Sequence, residues 1–167
     1  MPNLSLRPTP GYLVWRLATK LRTAVDSAVG PLGLTHAQYS VLSTLRGFSS
    51  AGLYPSQRQL ADHTGLEPMF ISKLVRALEG RGLIERRPDP ADSRAVRLAV
   101  TEKGTEVADQ AVVIVADLMG QFTSPLGGVS SKRTHTFIRD VRALLDGPLF
   151  AHEPSLHTRG NNSKTRR

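Results

Sequence analysis

Lys73 and Arg76 stand three residues apart, with Ser72 beside them and Met69 one helical turn earlier, in a segment whose remaining positions are largely apolar. Cations at that spacing can neutralise phosphate. An arginine can also donate two parallel hydrogen bonds to an acceptor pair such as guanine O6 and N7, and the residue types alone leave both roles open. Met69 fits a thymine methyl or fills a surface gap. Further on, Arg86, Arg87 and Arg94 surround a Pro- and Asp-rich stretch, and Asp92 precedes Arg94 by two residues, close enough to orient its guanidinium through a charge-assisted hydrogen bond. Upstream, Ser56, Gln57 and Arg58 form a third polar group. Ordinary solvated helix faces and turns carry the same residue types, so the elements that hold them must decide.

Other chemistries lack their residues. The 167-residue chain has no cysteine, which removes thiolate catalysis, disulfides, Cys-ligated zinc and iron–sulfur clusters. There is no Gly-x-Gly-x-x-Gly, no Walker-type Gly-Lys-Ser and no Gly-x-Ser-x-Gly. His36, His63, His135, His152 and His157 are scattered rather than paired at metal-ligand spacing. The expectation is a non-enzyme with no cofactor and no metal. Met1 to Pro8 lacks the apolar stretch of a signal peptide, and the longest apolar run, Ala111 to Ala116, is far too short to span a bilayer. A cytoplasmic protein without membrane contact is expected. Lys and Arg number 22 against 14 Asp and Glu, a net charge of +8, which favours an anionic partner.

Periodicity and punctuation supply the elements. Leu13, Leu17, Leu21, Ala24, Val25 and Ala28 line one helix face before Gly30-Pro31, giving a helix over about 10–29. Thr35-x-x-Gln38 and Ser56-x-x-Gln59 are capping boxes opening helices over about 35–46, which should stop near Gly47, and 56–63, which stops at Gly65. A fourth helix over about 67–80 starts at Glu67-Pro68 and carries Ile71, Leu74, Val75 and Leu78 on one face; Met69, Ser72, Lys73, Arg76 and Ala77 lie opposite. Short alternating runs then predict a hairpin over 83–100, followed by helices over about 101–123 and 131–146. The fold class is mainly α with a small β-hairpin wing (α+β). Residues 10–147 form the domain, preceded by an N-terminal arm (1–9) and followed by a basic tail (148–167) whose composition predicts disorder.

Two helices joined by a short glycine-containing turn make a helix-turn-helix. Ala61 is small where they approach, and Gly65 supplies the turn. The second helix can then present its N-terminal half to a DNA major groove, which admits one α-helix. That context assigns Met69, Ser72, Lys73 and Arg76 to the groove, and Ser56, Gln57 and Arg58 to the DNA backbone or to support of the motif. Arg86, Arg87, Asp92 and Arg94 fall on the wing, where a narrow minor groove favours arginine.

The run Ser56-Gln57-Arg58-Gln59-Leu60-Ala61, then Ile71 to Glu79, Gly82-Leu83-Ile84-Glu85-Arg86, Asp89-x-x-Asp92-x-Arg94 and Leu98-x-x-Thr101-x-x-Gly104 resembles the winged helix-turn-helix core of the MarR family of bacterial transcriptional regulators. The flanking helices extend the resemblance over most of Pro10 to Leu145. It implies a homodimer on a pseudo-palindromic operator of double-stranded DNA, usually a repressor, often released by a small aromatic or phenolic effector. It also implies major-groove reading by Ser72, Lys73 and Arg76, and wing-tip reading by Arg94 with Asp92. Tyr12, Trp15 and Tyr39 lie in the first two helices, near where such an effector pocket commonly forms. Apolar stripes on the first, fifth and sixth helices independently suit dimerisation. The competing reading is a sequence-indifferent architectural DNA-binding protein, for which net charge and the basic tail suffice.

Overall fold

The computed structural model describes residues 8–89 and 95–149. The elements run α1 (Pro10–Val29), α2 (His36–Ser50), α3 (Gln57–Thr64), α4 (Pro68–Gly80), β1 (Ile84–Pro88), β2 (Val96–Val100), α5 (Glu102–Thr123) and α6 (Lys132–Leu145). Single 3-10 turns follow α1 at Gly30–Leu32 and α5 at Ser124–Leu126. The architecture is the expected one, helical with a hairpin wing.

Local signals explain most boundaries. Both capping boxes close: Thr35 and Ser56 accept from the backbone N–H groups of Gln38 and Gln59, whose side chains accept in return from the cap N–H groups. Asp26 of α1 accepts from the His36 N–H at 2.6 Å, tying the first turn of α2 to α1. Gly65, at φ 67°, ends α3 in the left-handed conformation that glycine adopts without a Cβ penalty. One boundary departs from expectation. α2 does not stop at Gly47 but continues to Ser50, because Phe48 packs edge-on to His63 of α3 with ring centroids 5.0 Å apart. Such a ring contact, worth about 0.5–1.5 kcal/mol beyond its burial, is of the same size as the roughly 1 kcal/mol that a mid-helix glycine costs.

The chain divides into two compact units, Met1–Gln121 and Phe122–Arg167. In the first, Val41, Leu42 and Leu45 of α2, Leu60 of α3, and Ile71, Val75 and Leu78 of α4 are fully buried, together with Leu83 and Leu98 of the wing root and Ala111 of α5. The four-residue stripe of α4 contributes, as an upper bound, about 6–12 kcal/mol of apolar burial at ~1.5–3 per side chain. That exceeds by far the ~1 kcal/mol a side-chain N-cap would add, and α4 has none. The stripe of α1 behaves differently along its length: Val25 and Val29 are core, whereas Tyr12, Leu13, Val14, Trp15 and Leu17 are all at least 40% exposed.

In the second unit, Ser131 caps α6 by accepting from the Thr134 N–H, and the buried Thr134 hydroxyl donates to the Gly128 carbonyl at 2.8 Å. Ile138, Leu144 and Leu145 of α6 are exposed. Among the described residues no helix is long and apolar enough to cross a membrane.

Candidate nucleic-acid interface

α3 and α4 meet across the Leu66-Glu67 turn, with Ala61 and Ile71 buried where they approach. Burial of Ile71, Leu74, Val75 and Leu78 fixes the rotation of α4 about its axis, so the opposite face must look outward. On it, Met69 is 74% exposed, Lys73 and Arg76 are exposed, and Ser72 is half-buried. Lys73 has no ion pair among the described residues. Arg76 folds back one turn, donating from Nε to the Ser72 carbonyl (3.3 Å) and from Nη2 to the Ser72 hydroxyl (3.2 Å).

The three residues opening α3 divide their work. Ser56 is spent on capping, while Arg58 is an exposed cation with no ion pair among the described residues. Gln57 turns to the wing: with its amide oxygen oriented as the hydrogen bonding requires, it accepts from Arg86 Nη2 and Nη1 at 3.2 and 3.3 Å. Arg86 is also paired with Glu79 of α4 at 3.1 Å. Arg87 pairs with Glu85 on its own strand and lies over the Tyr54 ring, 5.9 Å from its centroid. Both arginines expected on the wing as DNA contacts therefore already have anionic partners. Asp92 and Arg94 lie outside the described residues.

β1 and β2 pair antiparallel in the register Ile84 with Val100 and Arg86 with Leu98. The root of this hairpin is fastened to the helix-turn-helix. The Leu98 N–H donates to the Pro55 carbonyl at 2.9 Å, just ahead of α3. Arg97, a residue the sequence did not single out, donates from Nε to Asp89 (2.5 Å) and from Nη1 to Gln59 Oε1 (2.8 Å). That same amide oxygen accepts from the Ser56 N–H at 2.9 Å. One atom of Gln59 thus joins the cap of α3 to the base of the wing.

The three aromatic candidates do not converge within one chain. Tyr12 and Trp15 are neighbours, with ring centroids 5.9 Å apart, and both are exposed. Tyr39 is half-buried against the core, and burial raises its phenol pKa above the ordinary value while a hydrogen bond with Ser43 works in the other direction. None of the three lines the cleft of about 680 Å³ that lies between α1, α2 and the α3–α4 turn, where Arg22, Asp26, His36, His63 and Phe70 meet.

The profile of the MarR family matches residues 34–96, from the start of α2 to the start of β2. An uncharacterised HTH-type transcriptional regulator of Bacillus subtilis, YdcH, is 35% identical over 144 residues, covering 86% of this chain and 92% of that protein. The chain belongs to the MarR family. It is a helix-turn-helix transcriptional regulator, and solved MarR-type structures share its fold. The crystal structure of CouR from Rhodococcus jostii, bound to p-coumaroyl-CoA, is 32% identical with a TM-score of 0.69, over 83% of this chain and 92% of that one. The Staphylococcus aureus MepR–DNA complex superposes with a TM-score of 0.73 at 21% identity, over 83% and 96% of the two chains.

For this MarR-family chain the Arg97 tie yields a stability prediction. Asp89 is 8% exposed, whereas the Arg97 side chain is 31% exposed. Arg97→Met should therefore lower stability by about 2 kcal/mol, between the ~1 of an exposed pair and the ~3–5 of a fully buried one. Urea midpoints of Arg97→Met, Asp89→Asn and the double variant check it. Strict additivity of the two single effects would mean that the pair contributes nothing.

Proposed function

We propose that the protein acts as a homodimer on a pseudo-palindromic operator, as a repressor, with Met69, Ser72, Lys73 and Arg76 of each α4 in the major groove. The observation that carries this reading is the rotation of α4: four buried positions on one side leave a cation-bearing face on the other. A single recognition helix reads few base pairs, so two of them about one DNA turn apart, roughly 34–36 Å, are needed for useful specificity. The exposed apolar half of α1 supports a second copy as its cover, as do Val112 and Val113 of α5 and Ile138 of α6. Arg58 flanks the DNA backbone in this arrangement while Ser56 and Gln57 support the helix-turn-helix, and Arg86, Arg87, Asp92 and Arg94 belong to the wing that follows the minor groove. The described acid partners of Arg86 and Arg87 leave reading of the groove mainly to Arg94 with Asp92.

A small aromatic or phenolic ligand releases the operator. Support comes from the exposed ring pair Tyr12–Trp15, which a partner copy could bring toward a pocket, and from the p-coumaroyl-CoA carried by CouR. Residues 10–147 act as the regulatory domain, and the basic tail adds sequence-independent attraction. Such a protein works in the cytoplasm, on the nucleoid.

Selection of bound sequences from random duplex DNA tests the reading, followed by the ratio of operator to random-duplex affinity at fixed salt. A palindromic motif and a ratio of about 10³ or more are expected. A ratio near one would replace the operator reading with that of a sequence-indifferent architectural protein.

A further inference from the structure

Two helices end against each other at Arg81. α1, extended by its 3-10 turn, finishes at Gly33, and α4 finishes at Gly80 with Arg81 as its C-cap. Both ends expose carbonyls and carry the negative pole of the helix dipole, so their approach is unfavourable unless a cation lies between them. Arg81 supplies it. Its Nη1 donates to the Gly33 carbonyl at 2.6 Å and its Nη2 to the Leu32 carbonyl at 2.9 Å, across 48 and 49 positions of sequence. Its own carbonyl accepts from Lys103 Nζ at 3.0 Å, and the next carbonyl, of Gly82, accepts from the Thr101 hydroxyl at 2.7 Å. Gly33 makes room for the guanidinium. It has φ 70°, and a Cβ there would meet Arg81 Nη2 at 2.9 Å, so the connector accommodates the guanidinium with a residue that has no side chain.

Nothing in the candidate interface uses Arg81. It lies five residues beyond Arg76, about 7.5 Å further along the axis at 1.5 Å per residue, while groove entry belongs to the N-terminal half of α4. Its two hydrogen bonds, long-range in sequence, join the far end of that helix to the end of α1, whose exposed apolar half faces the proposed partner copy.

We propose that Arg81 is a positioning residue that sets the angle of α4 relative to α1, and through it the half-site spacing the dimer accepts. This rests on the dimeric operator reading above. Geometry makes the lever sensitive. α4 is about 20 Å long at 1.5 Å per residue, so a pivot of about 10° at its C-terminal end moves its N-terminus by about 3.4 Å. That displacement equals the axial rise of one base pair, ~3.4 Å. The buried stripe of α4 holds its rotation and depth, and the double donation of Arg81 holds its pitch.

The test measures binding of the full chain, at fixed salt, to the selected operator with its central spacer unchanged or altered by one base pair in either direction. The wild type should lose about tenfold or more on either altered spacer; Arg81→Gln should bind all three within about threefold while keeping the base preference inside each half-site. Arg81→Lys, which keeps the charge between the helix ends but not the paired donors, should fall between them and carries the comparison if Arg81→Gln folds poorly. Gly33→Ala, acting from the other side of the contact, should broaden the spacing profile in the same way. Variants with a lower melting temperature but the wild-type spacing profile would make Arg81 a plain structural tie and overturn the proposal. A wild type that binds specifically yet ignores spacing would also overturn it, leaving operator recognition standing. Absence of any specific binding by the wild type would overturn both.

Discussion

Gly104→Ala is expected to destabilise the protein by ~3 kcal/mol or more, at or beyond the upper end of what overpacking a core usually costs. In an ordinary helix interior the same change stabilises by roughly 0.5–1 kcal/mol, so here the sign is reversed. The reason is contact with backbone. A Cβ on Gly104 would stand 1.8 Å from the Leu83 carbonyl oxygen, 2.7 Å from its carbon and 2.8 Å from Val100 Cγ1. The Leu83 carbonyl cannot swing aside, because it accepts from the Thr101 N–H at 3.1 Å while the Leu83 N–H donates to the Leu78 carbonyl at 3.0 Å. Moving Leu83 would disturb the end of α4, the root of the wing and the first turn of α5 together. Gly120→Ala, in the same helix with nothing within 4 Å of its Cβ position, is the matched control and should be neutral or slightly stabilising. For a chain of this size ~1 kcal/mol shifts the melting temperature by about 2–4 °C, so the two variants should differ by about 6–12 °C or more by circular dichroism. Equal melting would mean that α5 does not lie against Leu83 as described.

Gly104 also shows where sequence reading succeeds and where it stops. Its place in the Leu98-x-x-Thr101-x-x-Gly104 pattern is visible in the chain, but the requirement for glycine becomes visible only when the Leu83 carbonyl arrives from 21 positions away. The same division holds elsewhere. The boxes at Thr35 and Ser56, the turn at Gly65 and the stripe of α4 are set by residues within a few positions of each other, and they form as expected. Extension of α2 past Gly47 depends on His63, which local spacing does not bring to Phe48. Charges are the hardest to assign. Arg76, Arg81, Arg86 and Arg97 have one side-chain chemistry, yet one folds onto its own helix and one clamps a connector. The other two have carboxylate partners, Glu79 and Asp89. Partners chosen by the tertiary fold, not residue type, separate the cations open to a ligand from those committed to structure. α1 makes the same point for apolar residues: its stripe reads continuously, but among the described residues only the Val25 and Val29 end is buried.

Arg76→Ala is expected to have the largest effect on DNA binding, with little effect on stability. A good bidentate contact to a base is worth about 1–3 kcal/mol of discrimination, and the proposed homodimer would carry the substitution twice, so about 2–6 kcal/mol or roughly 30-fold to 10⁴-fold in operator affinity is at stake. Two terms oppose this. To reach the groove Arg76 must release its bonds to Ser72, but an exposed pair one turn apart on a helix is worth only about 0.2–0.5 kcal/mol, a small fraction of the gain. Alanine also favours the helix at least as well as arginine, so melting should stay within about ±0.5 kcal/mol of wild type. Lys73→Ala provides the contrast. Without an ion pair to direct it among the described residues, Lys73 suits phosphate, and its loss should weaken operator and random duplex alike while reducing the salt slope by about one per protomer. Binding isotherms for both variants on both duplexes at several salt concentrations separate the roles: Arg76→Ala should change which bases are preferred, and Lys73→Ala should not. If the two variants instead lost affinity equally on every sequence, α4 would be a backbone-binding helix, and base reading would have to come from elsewhere in the protein.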